Sequence, residues 1–253
     1  MDWLSSSAQA LFKAYIPRIK KLPVNRTLTQ KDLLVNHFRL YSKDAVDVYY
    51  APMGHVRRKA KIIIIGVTPG WTQMELSYQL ARSMVDHLKT QGLILGKIKK
   101  QIAFAGTMRV NLIKMLDELR LPECLGIKSA EVLFEEKTDM VHSTSALRYP
   151  MFFRGKNYTG HAPKMLSIEI QRCMVENLLG KELTQVEKGL IVPLGKASTM
   201  AVEHLVECGI VDKKRCLFGF PHPSGANAHR VKEFEERQGS LKRKMRNWFK
   251  TNS

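Results

Sequence analysis

Two loops hold the residues best suited to chemistry. The segment Phe220-Pro221-His222-Pro223-Ser224-Gly225-Ala226-Asn227-Ala228-His229-Arg230 packs prolines, small residues and two histidines together. Prolines lower the entropy lost when a loop is held in one shape. Small residues let backbone N–H groups approach a phosphate closely, and His222 can present a ring N–H to a group beside that phosphate. Taken alone, this loop reads equally well as a rigid turn with a surface histidine. The other loop is Gly66-Val67-Thr68-Pro69-Gly70-Trp71. Its glycine spacing and its proline separate it from a dinucleotide-binding G-x-G-x-x-G, and no Gly-Lys-Ser/Thr follows to make a P-loop. Taken alone, it is explained by a tight strand-to-helix turn.

These loops need a scaffold that brings them to one edge. Lys61 opens the run Ile62-Ile63-Ile64-Ile65, which fits a central parallel strand buried on both faces. Further strands are expected at Thr138–Ser143, Leu190–Leu194 and Cys216–Phe220. Between them, Met108, Leu112, Met115, Leu116 and Leu119 form one helical stripe, and Leu166, Ile170, Cys173, Met174 and Leu178 another. Pro163 is expected in the first turn of that second helix, where proline is tolerated. Leu11, Phe12, Tyr15, Ile16 and Ile19 predict a helix over residues 7–20. The alternation predicts an α/β fold: a three-layer sandwich with a central four-stranded, mainly parallel sheet flanked by helices. Residues 1–50 are expected as a helical N-terminal extension packed on the core, and residues 51–253 as the α/β domain with a basic C-terminal helix. Ligands on such sheets bind beyond the carboxyl ends of the strands. That selects the two loops above together with His142-Ser143-Thr144-Ser145 and Gly195-Lys196-Ala197-Ser198.

The 253 residues are 44% hydrophobic and 25% charged, an ordinary globular composition that excludes a disordered tail, a collagen and a membrane protein. Lysine and arginine number 41 against 23 acids, a net charge of +18. Such a surplus points to a polyanionic partner, most simply nucleic acid, but does not separate an enzyme from a passive binder. Basic runs at Arg57–Lys61, Lys97–Lys100, Lys213–Arg215 and Lys242–Arg246 each read singly as a solvated face. Flanking the expected pocket elements, they read together as a phosphate-tracking surface around it. The cysteines (Cys124, Cys173, Cys208, Cys216) show no C-x-x-C spacing, so reduced thiols of a cytoplasmic protein are expected, with no structural metal. The start, Met1-Asp2-Trp3-Leu4, does not read as a secretory signal.

Taken together, the two loops and the strand order resemble the uracil-DNA glycosylase superfamily over about residues 60–230. Members carry a G-x-[DN]-P-G or related loop after the first central strand and an H-P-S or N-P-S loop after the last. Here these are Gly66-Val67-Thr68-Pro69-Gly70 and His222-Pro223-Ser224. Phe104-Ala105-Gly106 is similar to the family segment that places an aromatic ring against the base, and Leu190–Ala197 to its third strand and turn. The resemblance implies a cofactor-free monomer that cuts the N-glycosidic bond of a base swung out of DNA. It implies that His222 supports the leaving base and that Pro223 and Ser224 pinch the flanking phosphate. Gly225 to Arg230 would enter the minor groove, with Asn227 and His229 as contacts or as ordinary surface residues. Phe104 would stack on the base or serve as a core phenylalanine, with Trp71 a second stacking candidate. Pro69, Gly70, Lys196 and Arg230 would touch DNA, as would Arg148 and Arg154. Asn157 and Tyr158 would line the pocket or an ordinary loop.

Two departures from the family pattern matter. Thr68 stands where Asp or Asn usually orients the water; its hydroxyl and the loop carbonyls can still hold one. The base-reading strand offers Ser143 and Thr144 and no asparagine, which enlarges the pocket and removes the uracil-specific pair of hydrogen bonds. The implied substrate is a modified or non-uracil base, such as the glucosylated hydroxymethylcytosine of modified phage DNA, in antiviral defence. With no lysine placed as a Schiff-base nucleophile, a monofunctional enzyme leaving an abasic site is expected. A uracil or mismatch repair glycosylase remains an alternative. So does a non-catalytic nucleic-acid binder that kept the fold, and a mononucleotide hydrolase accords less well with the charge.

Overall fold

The computed structural model describes residues 1–88, 90–104 and 106–252. Ala105, the middle of the Phe104-Ala105-Gly106 segment, thus lies outside the described residues. In chain order the first elements are α1 (Ala8–Ile19), α2 (Gln30–Leu33), β1 (Arg39–Lys43), β2 (Val46–Tyr49) and β3 (Ile62–Gly66). Then come α3 (Trp71–Met84), α4 (Gln91–Ile102), α5 (Thr107–Glu118), α6 (Leu121–Leu125) and α7 (Val132–Glu135). The strands β4 (Val141–Ser145), β5 (Met151–Phe153) and β6 (Lys156–Asn157) follow, then α8 (Glu169–Met174) and α9 (Lys181–Thr184). The last elements are β7 (Leu190–Pro193), α10 (Gly195–Glu207) and α11 (Arg230–Asn252). No described helix is long and apolar enough to cross a membrane.

The chain divides into two units. One comprises Met1–His55, Thr68–Ile102 and Leu147–Leu178; the other comprises Val56–Val67, Ala103–Ala146 and Leu179–Ser253. The boundary falls between Val67 and Thr68, inside the first of the two chemically interesting loops.

The second unit is built on a parallel sheet in the order β4-β3-β7. All four isoleucines of β3 are fully buried, and each such side chain contributes roughly 1.5–3 kcal/mol on leaving water. Ile62 and Ile64 share one face with Val141, Leu190 and Val192, packed against Leu112 and Leu116 of α5 and Leu241 and Met245 of α11. Ile63 and Ile65 point the other way, and α10 packs on β3 and β7. The expected four-stranded sheet is corrected here: three strands are paired, and Cys216–Phe220 contributes only a parallel bridge, Ile191 to Cys216. Two hydrogen bonds, Leu217 N to Ile191 O at 2.8 Å and Gly195 N to Phe220 O at 2.9 Å, keep that segment beside β7. Gly219, at φ +97°, breaks the extended backbone. Pro221 and Pro223 then remove the donors a ladder would need.

The first unit holds a second sheet that the sequence reading did not anticipate, antiparallel in the order β1-β2-β5-β6. Its hairpins turn on Asp44-Ala45 and Arg154-Gly155, four residues with positive φ, as two-residue primed turns demand. The segment 1–50 therefore contains helices but ends in a hairpin rather than being helical throughout. Its α1 starts at Ser7, whose side chain accepts from Ala10 N at 3.1 Å, and buries Phe12, Tyr15 and Ile19. The expected second helical stripe is also shorter than read: α8 begins at Glu169, and Val175–Gly180 continues as a π-helix. Leu166, with φ +70°, and Pro163 precede it in turns, so Pro163 does not sit in a helix's first turn.

Candidate functional site

In the second unit the carboxyl edge of the parallel sheet collects much of the expected set. Register fixes which residues of β4 share a face: Ser143 pairs with Ile64 and Ser145 with Gly66, whereas His142 and Thr144 pair with Ile63 and Ile65. Successive strand residues face opposite ways, so Ser143 and Ser145 lie on one side and Thr144 on the other. On the first side Gly66 leaves room for an aromatic ring. A Cβ there would stand 3.3 Å from Phe104 Cε1 and 3.8 Å from Ser145 Oγ. Phe104 itself is buried, at 6% exposure, with a left-handed backbone of φ +48°. Such a conformation costs a non-glycine residue of order 1–3 kcal/mol and persists only where its surroundings hold it. Arg109 supplies part of that hold: its Nε and Nη2 both donate to Ala103 O, at 2.9 and 2.6 Å, while its guanidinium lies over the Phe134 ring.

Ser143 Oγ is buried and has no hydrogen-bond partner among the described residues. An unpaired buried hydroxyl costs about 1–3 kcal/mol, and a ligand or a water reaching it would recover that. Thr144 is placed differently. Its hydroxyl donates to Glu182 Oε2 at 3.0 Å, and Glu182 Oε1 is 2.8 Å from His142 Nε2, all three residues being buried on the far side of β4. Thr144 therefore belongs to a polar network behind the strand rather than to the Phe104 face.

The His222 loop is tied to the same edge. Ser224 N–H donates to His222 Nδ1 at 3.3 Å. A neutral imidazole accepting at Nδ1 carries its proton on Nε2, so His222 is set as an Nε2–H donor. Gly195, at φ +76°, lies so close that a Cβ would come within 2.8 Å of His222 Cβ. Asn111 of α5 donates to Pro223 O at 2.9 Å and so connects the helix after Phe104 with the His222-Pro223-Ser224 turn. Within the loop, Asn227 Nδ2 donates to His222 O at 3.3 Å and Arg230 Nη1 to Ser224 O at 2.9 Å. Asn227 Oδ1 accepts from His229 N at 3.2 Å, and Ser224 Oγ accepts from Ala226 N at 3.2 Å. Asn227 and Arg230 thus brace the loop's own backbone. Gly225 and His229 are exposed at its tip, and Lys196 is exposed in the first turn of α10.

The remaining residues belong to the first unit and are arranged among themselves. Thr68 Oγ1 donates to Tyr149 O at 3.1 Å and accepts from Met151 N at 3.3 Å, which leaves one lone pair uncommitted. Pro69 is buried, and Gly70 N donates to Gln73 Oε1 at 3.2 Å at the start of α3. Asn157 Oδ1 accepts from Trp71 N at 3.0 Å, so the Asn157 side chain satisfies a backbone N–H at that helix terminus. Tyr158 donates to Pro163 O at 2.8 Å, and burial pushes its phenol up to about 12. Arg148 donates to Leu178 O at 3.0 Å, while Arg154, exposed, lies over the Phe153 ring.

Sequence reasoning missed Asn111 and Arg109, and it selected the segments that carry Gly195 and Ser145 without giving either residue a part in this arrangement. Period-two alternation along β4 was the available signal for Ser145, because it separates Ser143 and Ser145 from Thr144. A glycine directly after Leu190–Leu194 was the signal for Gly195. Nothing in the sequence pairs Asn111 with Pro223.

Comparison with known proteins adds three findings. The family description "Uracil DNA glycosylase superfamily" matches residues 53–250. A protein of Bacillus subtilis (strain 168), named "Uncharacterized protein YoxB", is 37% identical over 242 residues, covering 95% of this chain and 94% of that one. No solved structure matches.

Proposed function

Because the chain belongs to the uracil DNA glycosylase superfamily, we propose that it is a monofunctional DNA glycosylase acting on a modified or non-uracil base. Water adds to the sugar C1′, the C1′–N bond breaks with its electron pair passing to the base, and an abasic site remains. The observation that supports this reading is the hydrogen bond from Ser224 N–H to His222 Nδ1, which assigns the proton of a neutral ring to Nε2. The ring then offers Nε2–H to the negative charge that grows on the departing base. Removing one such donor typically costs about 10²–10³ in rate. Phe104 gives the base a face to stack on. Thr68 Oγ1 keeps one lone pair uncommitted, which suits it to hold a water. A dissociative cleavage asks for little base strength, which a threonine can satisfy.

The substrate reading rests on β4. Ser143 Oγ, unpartnered and buried, rotates to donate or accept and so does not by itself demand the 4-oxo group of uracil. A side chain shorter than an asparagine also leaves room for substituents on the ring. Bases of modified phage DNA, such as glucosylated hydroxymethylcytosine, fit this description. The test is a panel of oligonucleotides carrying uracil, mismatched thymine, hypoxanthine, hydroxymethylcytosine and its glucosylated form, each treated with alkali to cleave abasic sites. Faster release of a modified base or hypoxanthine than of uracil supports the substrate assignment. Uracil released as fast as any other base overturns it.

One observation favours a second reading, a nucleic-acid binder that kept the fold: both hydrogen bonds of the Thr68 hydroxyl go to backbone groups. Under that reading the panel yields no abasic site from any base.

A further inference from the structure

The basic runs do not all surround the carboxyl edge where Phe104 and His222 lie. A run that precedes a parallel strand sits at that strand's amino end, and β3 is five residues long, about 16 Å at 3.3 Å per residue. Arg57–Lys61 and Lys213–Arg215 are therefore on the opposite end of the second unit's sheet, which corrects the expectation that they rim the pocket.

At that amino end the structure contains a cleft of about 420 Å³ lined by Arg58, Lys59, Lys61, Gln185, Glu187 and Lys188. Four cationic side chains face a single carboxylate. Lys59, Lys61 and Lys188 are exposed, and no carboxylate lies within 4.0 Å of any of them among the described residues. The walls are braced: Arg58 Nη2 donates to Gln185 Oε1 at 3.2 Å, and Arg215 donates to the carbonyls of Val186 and Gly189. Arg215 thereby seats the Lys213–Arg215 run on the turn that carries Glu187 and Lys188. Cations gathered around one cleft repel one another, and a chain of phosphates relieves that repulsion while releasing its own counterions.

We propose that this cleft is a second DNA-backbone site, which grips phosphates beyond the nucleotide engaged at the carboxyl edge. The inference rests on the reading that the protein works on DNA, and it assigns the cleft no part in base recognition. A DNA that reaches both ends of the sheet is held at more phosphates than the carboxyl edge alone engages.

The test compares the wild type with Lys59→Ala/Lys61→Ala/Lys188→Ala in two assays: binding to a fluorescent duplex of about 40 base pairs without a target base, and single-turnover excision at saturating enzyme on a duplex that carries one. Affinities are measured between 50 and 300 mM KCl, and far-ultraviolet circular dichroism and melting confirm that the variant is folded. On the 40-mer, the log–log salt slope flattens by about 2 to 3, at roughly 0.9 for each phosphate that is no longer neutralised, while the saturating excision rate stays at the wild-type level. An unchanged slope, or a fall in the saturating excision rate, overturns the proposal. The charge-conserving triple Lys→Arg variant must keep the wild-type slope. Tripolyphosphate separates the two sources of phosphate: if it binds wild type tightly, fails to bind the variant and leaves 40-mer affinity untouched, the cleft serves a free anion and the proposal falls. Because the binding probe has no target, the flattened slope persists even if the protein proves to excise nothing; that result would sink the glycosylase reading alone.

Discussion

Replacing Gly195 by alanine tests whether His222 must sit where the structure puts it. The new Cβ would lie 2.8 Å from His222 Cβ and 3.5 Å from both its Cα and Cδ2. Ordinary van der Waals contact begins near 3.4 Å, so the imidazole has to retreat by about 0.6 Å or the α10 N-terminus has to move. The backbone adds its own cost, since φ is +76° at this position and an L-residue pays about 1–2 kcal/mol in the left-handed region. Gly209 provides the control. It is also left-handed, at φ +70°, but a Cβ there meets nothing within 4 Å. Gly209→Ala should lose about 1–2 kcal/mol in denaturant unfolding, and Gly195→Ala, which adds the clash, more than that. Only Gly195→Ala should also slow single-turnover excision, by about ten- to a hundred-fold, as misplacing a catalytic donor by a fraction of an ångström to one ångström does. The assay is alkali cleavage of the abasic product with enzyme in excess, at a temperature where both variants are folded. If Gly195→Ala excises at the rate of Gly209→Ala, the position of His222 is not what limits the reaction, and the argument from close packing fails.

Other outcomes follow from the same geometry. Ser143→Ala removes a buried hydroxyl that has no partner, so stability should hold or rise by about 1 kcal/mol while affinity for DNA bearing the preferred base falls; a clear loss of stability would mean the hydroxyl is paired in the free protein. Tyr158, with its phenol pushed up to about 12 by burial, favours the neutral ring in the folded state. Its contribution is complete below the unfolded value near 10 and is lost as pH rises through about 12. Unfolding free energy should therefore drop between about pH 10 and about pH 12, and Tyr158→Phe should remove that part of the drop; an unchanged alkaline limb in the variant would contradict the assignment.

What could be read from the sequence was whatever local patterning dictates. Four consecutive β-branched residues ending at a glycine specify a buried central strand, and β3 is that strand. The stripe from Met108 to Leu119 is α5, ending one residue earlier. Placing the chemistry in loops after strands also selected Ser143 and His222, and the family resemblance selected Phe104; the second unit holds all three at or near its carboxyl edge. The antiparallel sheet escaped because its strands are only two to five residues long. One of its turns, Asp44-Ala45, also lacks the glycine that signals a primed hairpin. The segment Cys216–Phe220 looked like a strand by composition, and its failure to pair comes from Gly219 and the prolines that follow. At the site, Thr144 was grouped with Ser143 by nearness in sequence, although the pleat sends them to opposite faces. The network His142–Glu182–Thr144 joins residues 38 to 40 positions apart, which no local pattern encodes.

The central claim is that His222 is a hydrogen-bond donor to a departing base. It is tested most directly by measuring DNA affinity and single-turnover excision together for the wild type and His222→Ala, on whichever oligonucleotide of the panel the wild type cleaves. Excision lower by about 10²–10³, with affinity for the same DNA unchanged, is the predicted result. Excision at the wild-type rate, or a fall in excision matched by an equal fall in affinity, would contradict it.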